Sequence, residues 1–516
     1  VKFEPQFEAF RSTYDAGAPQ LVWTRLIDDL ETPVSAYLKI GHGRPYAFLF
    51  ESVEGGAWRG RYSIITLNPD LVWRCRGDQA EIAEGAEAIA AGAFQPQSGG
   101  ALESLKDLVA ASRIALPAGL PPPSAGVFGA IGYDMIRLVE RLPNVNPDAL
   151  GLPDGVMTRP SIVAIFDAIA QEIILVTPVR PGQGEGSAQE AFAAARGRIE
   201  TVLSDLRQPT PQLKGDGQPE PDGFATPISR DAYKAIVERA KDYIRAGDIF
   251  QVVPSHRFRS PFRRDPFALY RSLRRMNPSP FLFYLNFGDF QLVGSSPEIL
   301  VRLRDGKITI RPIAGTRPRG ATPEEDLALE KELLADPKER AEHLMLLDLG
   351  RNDVGRVAML KDNGSNAPAG EPGRRRPPRV RVTDSFFIER YSHVMHLVSN
   401  VEGDAPEDLD PVDVVMAALP AGTLSGAPKV RAMEIIDELE IEKRGIGYAG
   451  GVGYFGADGS VDTCIVLRTA LVKDGVMYVQ AGGGVVADSD PDAEYDETLH
   501  KSRALRRAAE ESWRFE

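Results

Sequence analysis

The chain has 516 residues, 43% of them apolar and 26% charged, and carries 73 acidic against 60 basic side chains for a net charge of −13. These values are ordinary for a folded soluble protein and exclude a chain that is disordered throughout. A net acidic chain is also a poor match for phosphate backbones, so no nucleic-acid partner is expected.

No stretch approaches the roughly 20 consecutive apolar residues of a membrane span, so no membrane partner is expected. The opening segment VKFEPQFEAFRSTYDAGAPQLVWTRLIDDL lacks a basic start followed by an apolar run, which predicts no signal peptide. Two cysteines, Cys75 and Cys464, make neither a disulfide framework nor a zinc site. A reducing, cytoplasmic setting is therefore expected. At about 150 residues per domain, the length implies roughly three units or two large ones.

Residues 20–206 read as one unit. The apolar runs 46–50 and 173–177 suggest strands, and the alanine-rich stretch 188–206 suggests a helix. Residues 207–227 hold five prolines and three glycines without apolar periodicity and read as a linker. Residues 228–505 form the second unit. Ser229 is a good cap for a helix whose apolar face is Tyr233, Ile236, Val237, Ala240, Tyr243 and Ile244. Strands are predicted at 281–287, at 461–472 and at 476–480. The segment 361–382 is rich in proline, glycine and arginine; its Arg374–Arg376 run is either a solvated loop or a phosphate patch.

Chemistry concentrates in the second unit. The stretch 337–353 contains Glu339 and Glu342, and the stretch 490–512 contains Glu494, Glu497 and Lys501. Glutamates three apart on a helix share a face, and Lys501 follows Glu497 by one turn. Four converging carboxylates would repel unless a cation lay between them, and oxygen-only ligands suit magnesium. The other reading is that both pairs decorate exposed helices. A di-iron bundle would need Glu-x-x-His, and His343 directly follows Glu342.

The glycines Gly482, Gly483 and Gly484 follow a predicted strand, as a tight turn or as backbone that approaches an anion closely. Arg468 is predicted within the strand 463–472, with Ile465, Leu467 and Leu471 on one face and Cys464, Val466 and Arg468 on the other. An arginine on an apolar strand needs an anionic partner, either a carboxylate substrate or a structural salt bridge. No GxSxG, GxxxxGK[ST] or strand-following GxGxxG motif is present, and neither cysteine lies in a nucleophile elbow.

Ten ordered segments carry a resemblance: GDIFQVVPS (247–255), SSPE (295–298), RPIAGTRPRG (311–320), AEHLMLLDLGRND (341–353), ERYSHVMHLVSNVEG (389–403), PAGTLSGAPK (420–429), YAGGVGY (448–454), DTCIVLRT (462–469), AGGGVVADSDP (481–491) and EYDETLHK (494–501). Together they resemble the chorismate-utilising enzymes, and within that family the large subunits of anthranilate synthases. The resemblance implies an α+β fold, an α/β/α sandwich on large antiparallel sheets, with the active site in the second unit.

It further implies Mg2+ on Glu342 and Glu497, supported through water by Glu339 and Glu494. Gly315, Thr316, Tyr448, Arg468 and Gly482–Gly484 would contact chorismate. Glu298 resembles the acid that protonates the departing C4 hydroxyl, and His396 the residue needed for pyruvate loss. His396 also reads, on its own, as a satisfied core histidine. Gln251, Thr423 and Lys501 fall at the remaining catalytic positions.

Within the family, water-adding members carry a lysine where this chain has Gln251, and aminodeoxychorismate synthases carry a nucleophilic lysine where it has Ala314. Free ammonia adding at C2, and hence anthranilate, is the implied chemistry. The ammonia would come from glutamine through a separate amidotransferase subunit. A tryptophan inhibitor site is implied at Glu51, Ser52, Arg61, Pro280, Phe281, Leu282 and Cys464, with the Glu51 carboxylate accepting from the ammonium group. The segment 363–379 departs from the family pattern.

Overall fold

A computed structural model of the chain describes residues 2–52, 60–182, 186–215, 223–358, 380–391 and 394–516. The stretches 216–222 of the expected linker and 361–379 of the Pro/Gly/Arg-rich segment, Arg374–Arg376 included, lie outside these residues.

Local signals set the helix limits. Ser187 and Glu190 form a reciprocal capping box that starts the helix Ala188–Leu206. Ser229 accepts from the Ala232 N–H and starts the helix Arg230–Ala246. That helix stops at Gly247, whose left-handed φ of +83° suits glycine. Tyr233, Val237 and Ala240 are buried, as the periodicity required.

Two long strands, Tyr62–Arg76 and Gly155–Asp167, pair antiparallel from Tyr62 opposite Asp167 to Cys75 opposite Gly155, with a bulge between Pro69 and Leu71. The sheet branches from this ribbon. One branch runs through Phe48–Glu51, Phe281–Asn286, Phe290–Ser296, Thr469–Lys473, Val476–Gly482 and Ser255–Pro261. The other runs through Gly126–Ile131, Gly451–Gly456, Val461–Ile465, Ile299–Arg304, Lys307–Ile310 and Val394–Asp404.

The branches face each other across an apolar layer that includes Phe48, Phe128, Phe283, Leu292, Cys464 and Val466. Burying each large side chain there contributes about 2 kcal/mol. Helices cover both outer faces. Ala188–Leu206 and Pro266–Met276 contribute to one outer core, Ala101–Ala111 and Pro411–Ala418 to the other. The fold is the expected α+β sandwich with helices outside, its sheet layer folded double. Segments from both sides of the 207–227 stretch share each branch: Leu282 lies opposite Glu51, and Val452 opposite Ala130.

One predicted strand is corrected. Residues 461–472 form two strands, Val461–Ile465 in one branch and Thr469–Lys473 in the other. The chain crosses between branches at 466–468, and Arg468 takes a left-handed φ of +48°. The alternation of faces assigned to 463–472 therefore does not run through Arg468. Alternation cannot register the crossing, because residues on both sides of it are apolar and buried.

Candidate active site

The crossing opens onto a cavity of about 510 Å³ between the sheet and two helices. Asp336 accepts from the N–H groups of Lys338 and Glu339 at the start of the helix Pro337–Ala358. Asp490 caps the helix Pro491–Glu511 through the Ala493 N–H. Glu339, Glu342, Glu494 and Glu497 all line the cavity, so the two glutamate pairs do converge.

Their mutual repulsion is visible. Burial raises the Glu342 carboxyl above its ordinary value, and Glu339 and Glu497 push the same way. Burial also raises Glu494, opposed by the Ser489 hydroxyl that donates to it at 2.7 Å, while Glu497 adds to the rise. Two cations offset part of this charge: Lys501 lies 2.7 Å from Glu497, and Arg317 lies 3.1 Å from Glu339.

Among the described residues, no group of three or more His, Cys, Asp or Glu side chains is gathered tightly enough to hold a metal by itself. The buried Oε2 of Glu494 has no hydrogen-bond partner. A spare carboxylate oxygen, with further carboxylates around it, fits a hard ion that completes its shell with water and an anionic substrate.

Opposite the glutamates sit Glu298 and Arg468, fastened to one stretch of backbone. The Ile465 N–H donates to the Glu298 carbonyl at 3.0 Å, and the Ser295 N–H donates to the Arg468 carbonyl at 3.2 Å. Burial pushes the Glu298 carboxyl up to about 8, against the opposing pull of the Thr423 hydroxyl, Arg468 and Lys501. Burial thus favours its protonated form. Thr423 Oγ1 lies 3.3 Å from each Glu298 oxygen. Burial lowers the pKa of Arg468, and Glu298 opposes that shift.

His396 lies opposite Thr316 in the sheet. Its Nδ1 is 3.0 Å from Thr316 Oγ1 and 3.3 Å from the Gly315 carbonyl. The hydroxyl can donate or accept and the carbonyl only accepts, so the tautomer with hydrogen on Nδ1 satisfies both contacts and leaves Nε2 its lone pair. Burial, with Arg468 adding, holds this imidazole down at about 4, so it is neutral.

Space requires glycine at 482, where the neighbour is backbone; at 483 and 484 the nearest atoms are side-chain ends that can move. A Cβ on Gly482 would lie 2.5 Å from the Pro254 carbonyl oxygen, on Gly483 2.7 Å from Glu494 Oε2, and on Gly484 2.5 Å from Gln251 Nε2. Gly482 and Gly484 line the cavity; Gly483 packs against Glu494 beside it. Lys501 donates to the Gly482 carbonyl at 3.0 Å. Gly315, at a left-handed φ of +79°, is where glycine is needed for the turn itself. Tyr448 is buried, and burial pushes its hydroxyl above the ordinary range. Gln251 lines the cavity, and its buried Oε1 has no hydrogen-bond partner. Sequence reasoning passed over Arg317 and Ser489, although both lie inside quoted motifs, because their contacts depend on the fold.

A second cavity, of about 700 Å³, is lined by Glu51, Ser52, Arg61, Phe281, Leu282 and Cys464. Pro280 is not on its wall. The Glu51 carboxylate, expected to accept from an ammonium group, has partners of its own in this structure. It already accepts from the Tyr270 hydroxyl at 2.5 Å and from Arg274 Nε and Nη2 at 2.7 and 3.0 Å. Ser52 Oγ accepts from the Gly60 N–H at 2.9 Å, and Arg61 clamps Asp167 at 2.7–3.1 Å.

Comparison with known proteins gives the family of the chain. The family described as chorismate binding enzyme matches residues 63–365 and 374–507, skipping part of the proline- and arginine-rich segment. Anthranilate synthase component 1 of Cereibacter sphaeroides is 57% identical over 510 residues, covering 99% of this chain and 98% of its own. The protein of the same name from Pseudomonas aeruginosa is 47% identical over 487 residues, 93% of each chain. The crystal structure of anthranilate synthase component I from Streptococcus pneumoniae superposes with a TM-score of 0.74 at 34% identity, covering 93% of this chain and 99% of that one. The menaquinone-specific isochorismate synthase MenF of Escherichia coli, at 19% identity and a TM-score of 0.67, covers 96% of this chain and 95% of its own and shares the fold. On these matches and this geometry, the chain belongs to the chorismate-binding enzyme family, alongside the anthranilate synthase component 1 proteins.

Proposed function

We propose that the chain converts chorismate and ammonia to anthranilate and pyruvate, the first committed step toward tryptophan. A separate glutamine amidotransferase subunit supplies the ammonia, and tryptophan inhibits. The carrying observation is one cavity that joins Glu298, a buried carboxyl whose pKa burial raises, with Arg468 and four glutamates.

Chorismate is a dianion, so its pocket needs fixed positive charge. Arg468 and Lys501 supply it from the protein. Glu342 and Glu497, supported by Glu339 and Glu494, would hold magnesium, which would supply charge to neutralise the ring carboxylate. Hydroxide leaves poorly, so Glu298 donates its proton to the C4 oxygen, which departs as water while ammonia bonds to C2 and the double bonds shift. The unpartnered Gln251 Oε1 is an acceptor for an N–H of the incoming ammonia. The added nitrogen then loses its extra proton.

In the second step the C2 hydrogen leaves as a proton and the C3–O bond breaks. Pyruvate departs and the ring becomes aromatic. The neutral His396, with Nε2 unprotonated, is suited to accept that proton. Gln251 is no base for activating water, and Ala314 is no nucleophile, so both competing family chemistries lack their key residue.

The test is a product assay on the purified chain with chorismate, magnesium and ammonium salt at raised pH. Anthranilate should form from ammonium and not from glutamine. Glutamine-dependent turnover by the chain alone refutes the separate subunit, and failure to consume chorismate with magnesium and ammonium refutes the activity.

A further inference from the structure

Arg444 and Glu440 form an ion pair almost fully withdrawn from water, with side chains 1% and 3% exposed. Neither lies in the ten segments that carry the resemblance, and the chemistry above uses neither. Arg444 Nε lies 3.2 and 3.1 Å from the two Glu440 oxygens. Desolvation offsets much of the attraction in such a pair, so net stability is a weak reason for it. Its other hydrogen bonds supply a better one.

They reach the wall of the active cavity from behind. Arg444 Nη1 donates to the Leu424 carbonyl at 2.6 Å, and Nη2 donates to the Val253 carbonyl at 2.7 Å. Glu440 Oε1 accepts from the Ser255 N–H at 2.7 Å and from its hydroxyl at 2.8 Å, and that hydroxyl accepts from Gln480 Nε2 at 2.8 Å. Leu424 follows Thr423, whose hydroxyl reaches Glu298, and Val253 lies two residues beyond Gln251. Gln251, Thr423, Leu424 and Gln480 all line the cavity. The Gln251 and Thr423 segments otherwise meet in a ladder of two residue pairs, Gln251 opposite Ala427 and Val252 opposite Gly426, extended by the Val253 N–H donating to the Ser425 carbonyl at 2.9 Å. So short a ladder fixes little by itself. A planar guanidinium that holds one carbonyl from each segment locks their spacing.

We propose that Arg444, held by Glu440, is a positioning residue for amination. Its fork sets the distance between Gln251, which receives the ammonia, and Thr423, which holds the Glu298 acid. His396 is held by Thr316 and Gly315, outside this network, so pyruvate loss does not depend on the fork. The proposal rests on the amination chemistry given above.

The experiment compares the wild type with Arg444→Lys and Glu440→Asp in the full chain. Both variants keep every charge. Lysine lacks the planar fork and cannot hold both carbonyls, and aspartate is one methylene too short to hold Ser255 and Arg444 together. Two rates are read at saturation with magnesium: consumption of chorismate with ammonium, and pyruvate loss from supplied 2-amino-2-deoxyisochorismate. In both variants kcat for amination should fall about tenfold, while kcat for pyruvate loss stays within about twofold of the wild type. Tyr448, whose ring centroid lies 5.3 Å from Arg444 Cζ, would meet both substrates, so a change in KM is common to both and the ratio of the two kcat values carries the test. A merely structural pair would lower both rates together or neither; either result in a folded variant overturns the proposal. If thermal melts show that only one variant folds, that variant decides by the same ratio, and failure of both to fold makes the pair structural and also overturns the proposal. A wild type that does not aminate chorismate overturns the amination reading itself.

Discussion

The Ile465 N–H donates to the carbonyl of Glu298 at 3.0 Å, while the neighbouring Cys464 lines the 700 Å³ cavity. The same backbone that positions the acid thus forms a wall of the second cavity. A ligand that shifted this wall would shift Glu298 and Arg468 with it, which would give the proposed tryptophan inhibition a mechanical route. Tryptophan should bind the free chain and weaken chorismate binding, and chorismate must weaken tryptophan binding by the same factor. Ser52→Phe should fill the cavity and abolish inhibition with turnover largely kept. Calorimetry and inhibition assays check both; a Ser52→Phe enzyme inhibited as before would show the site to be misread.

Glu51 should behave as a structural residue as well as a cavity wall. Glu51→Ala leaves the buried Tyr270 hydroxyl and the Arg274 guanidinium without their acceptor. A loss of about 2–3 kcal/mol is expected from removing such charge-assisted hydrogen bonds. Denaturant unfolding measures it, and an unchanged midpoint would mean these contacts carry no stability.

Glu298 links activity and stability to pH. Its folded pKa of about 8 lies above the ordinary 4.5, so the folded state binds the proton more tightly than the unfolded chain. The resulting stabilisation is fully present below the ordinary value and is lost as pH rises through about 8. Glu298→Gln should therefore gain stability relative to the wild type across that window. Amination normalised to free ammonia should decline above the same pH, and in Glu298→Gln it should fall by roughly 100-fold or more. Paired thermal melts and rate profiles decide; parallel stability curves for the two proteins would contradict a raised pKa.

Glu497 and Lys501 form a half-exposed pair, so Glu497→Ala should cost at most about 1 kcal/mol of stability. Its turnover should nonetheless collapse, because the ring carboxylate loses its magnesium anchor. Near-normal magnesium-dependent rates in this variant would place the metal elsewhere.

His396→Met should separate the two chemical steps. Amination needs Glu298 and not the imidazole, so 2-amino-2-deoxyisochorismate should accumulate while anthranilate formation drops. Chromatography of the reaction mixture resolves the two compounds, and full-rate anthranilate without the intermediate would remove His396 from the lyase step.

Much of this protein was legible along the chain because the signals are local. The helix cap at Ser229, the three-residue spacing of Glu339 with Glu342 and of Glu494 with Glu497, and the glycine run at 482–484 all act over a few residues. The family resemblance added the roles of Glu298 and His396, which no spacing announces. What only the tertiary structure decided is where non-local contacts compete. The strand expected at 461–472 breaks because its two ends belong to different branches of the sheet, and Arg468 absorbs the crossing in a left-handed conformation. Glu51 is claimed by Tyr270 and Arg274, more than 200 positions away along the chain. The raised pKa of Glu298 has the same origin. A carboxyl's proton affinity depends on how much water the folded chain removes from around it, and that is a property of packing, which residue order alone does not display.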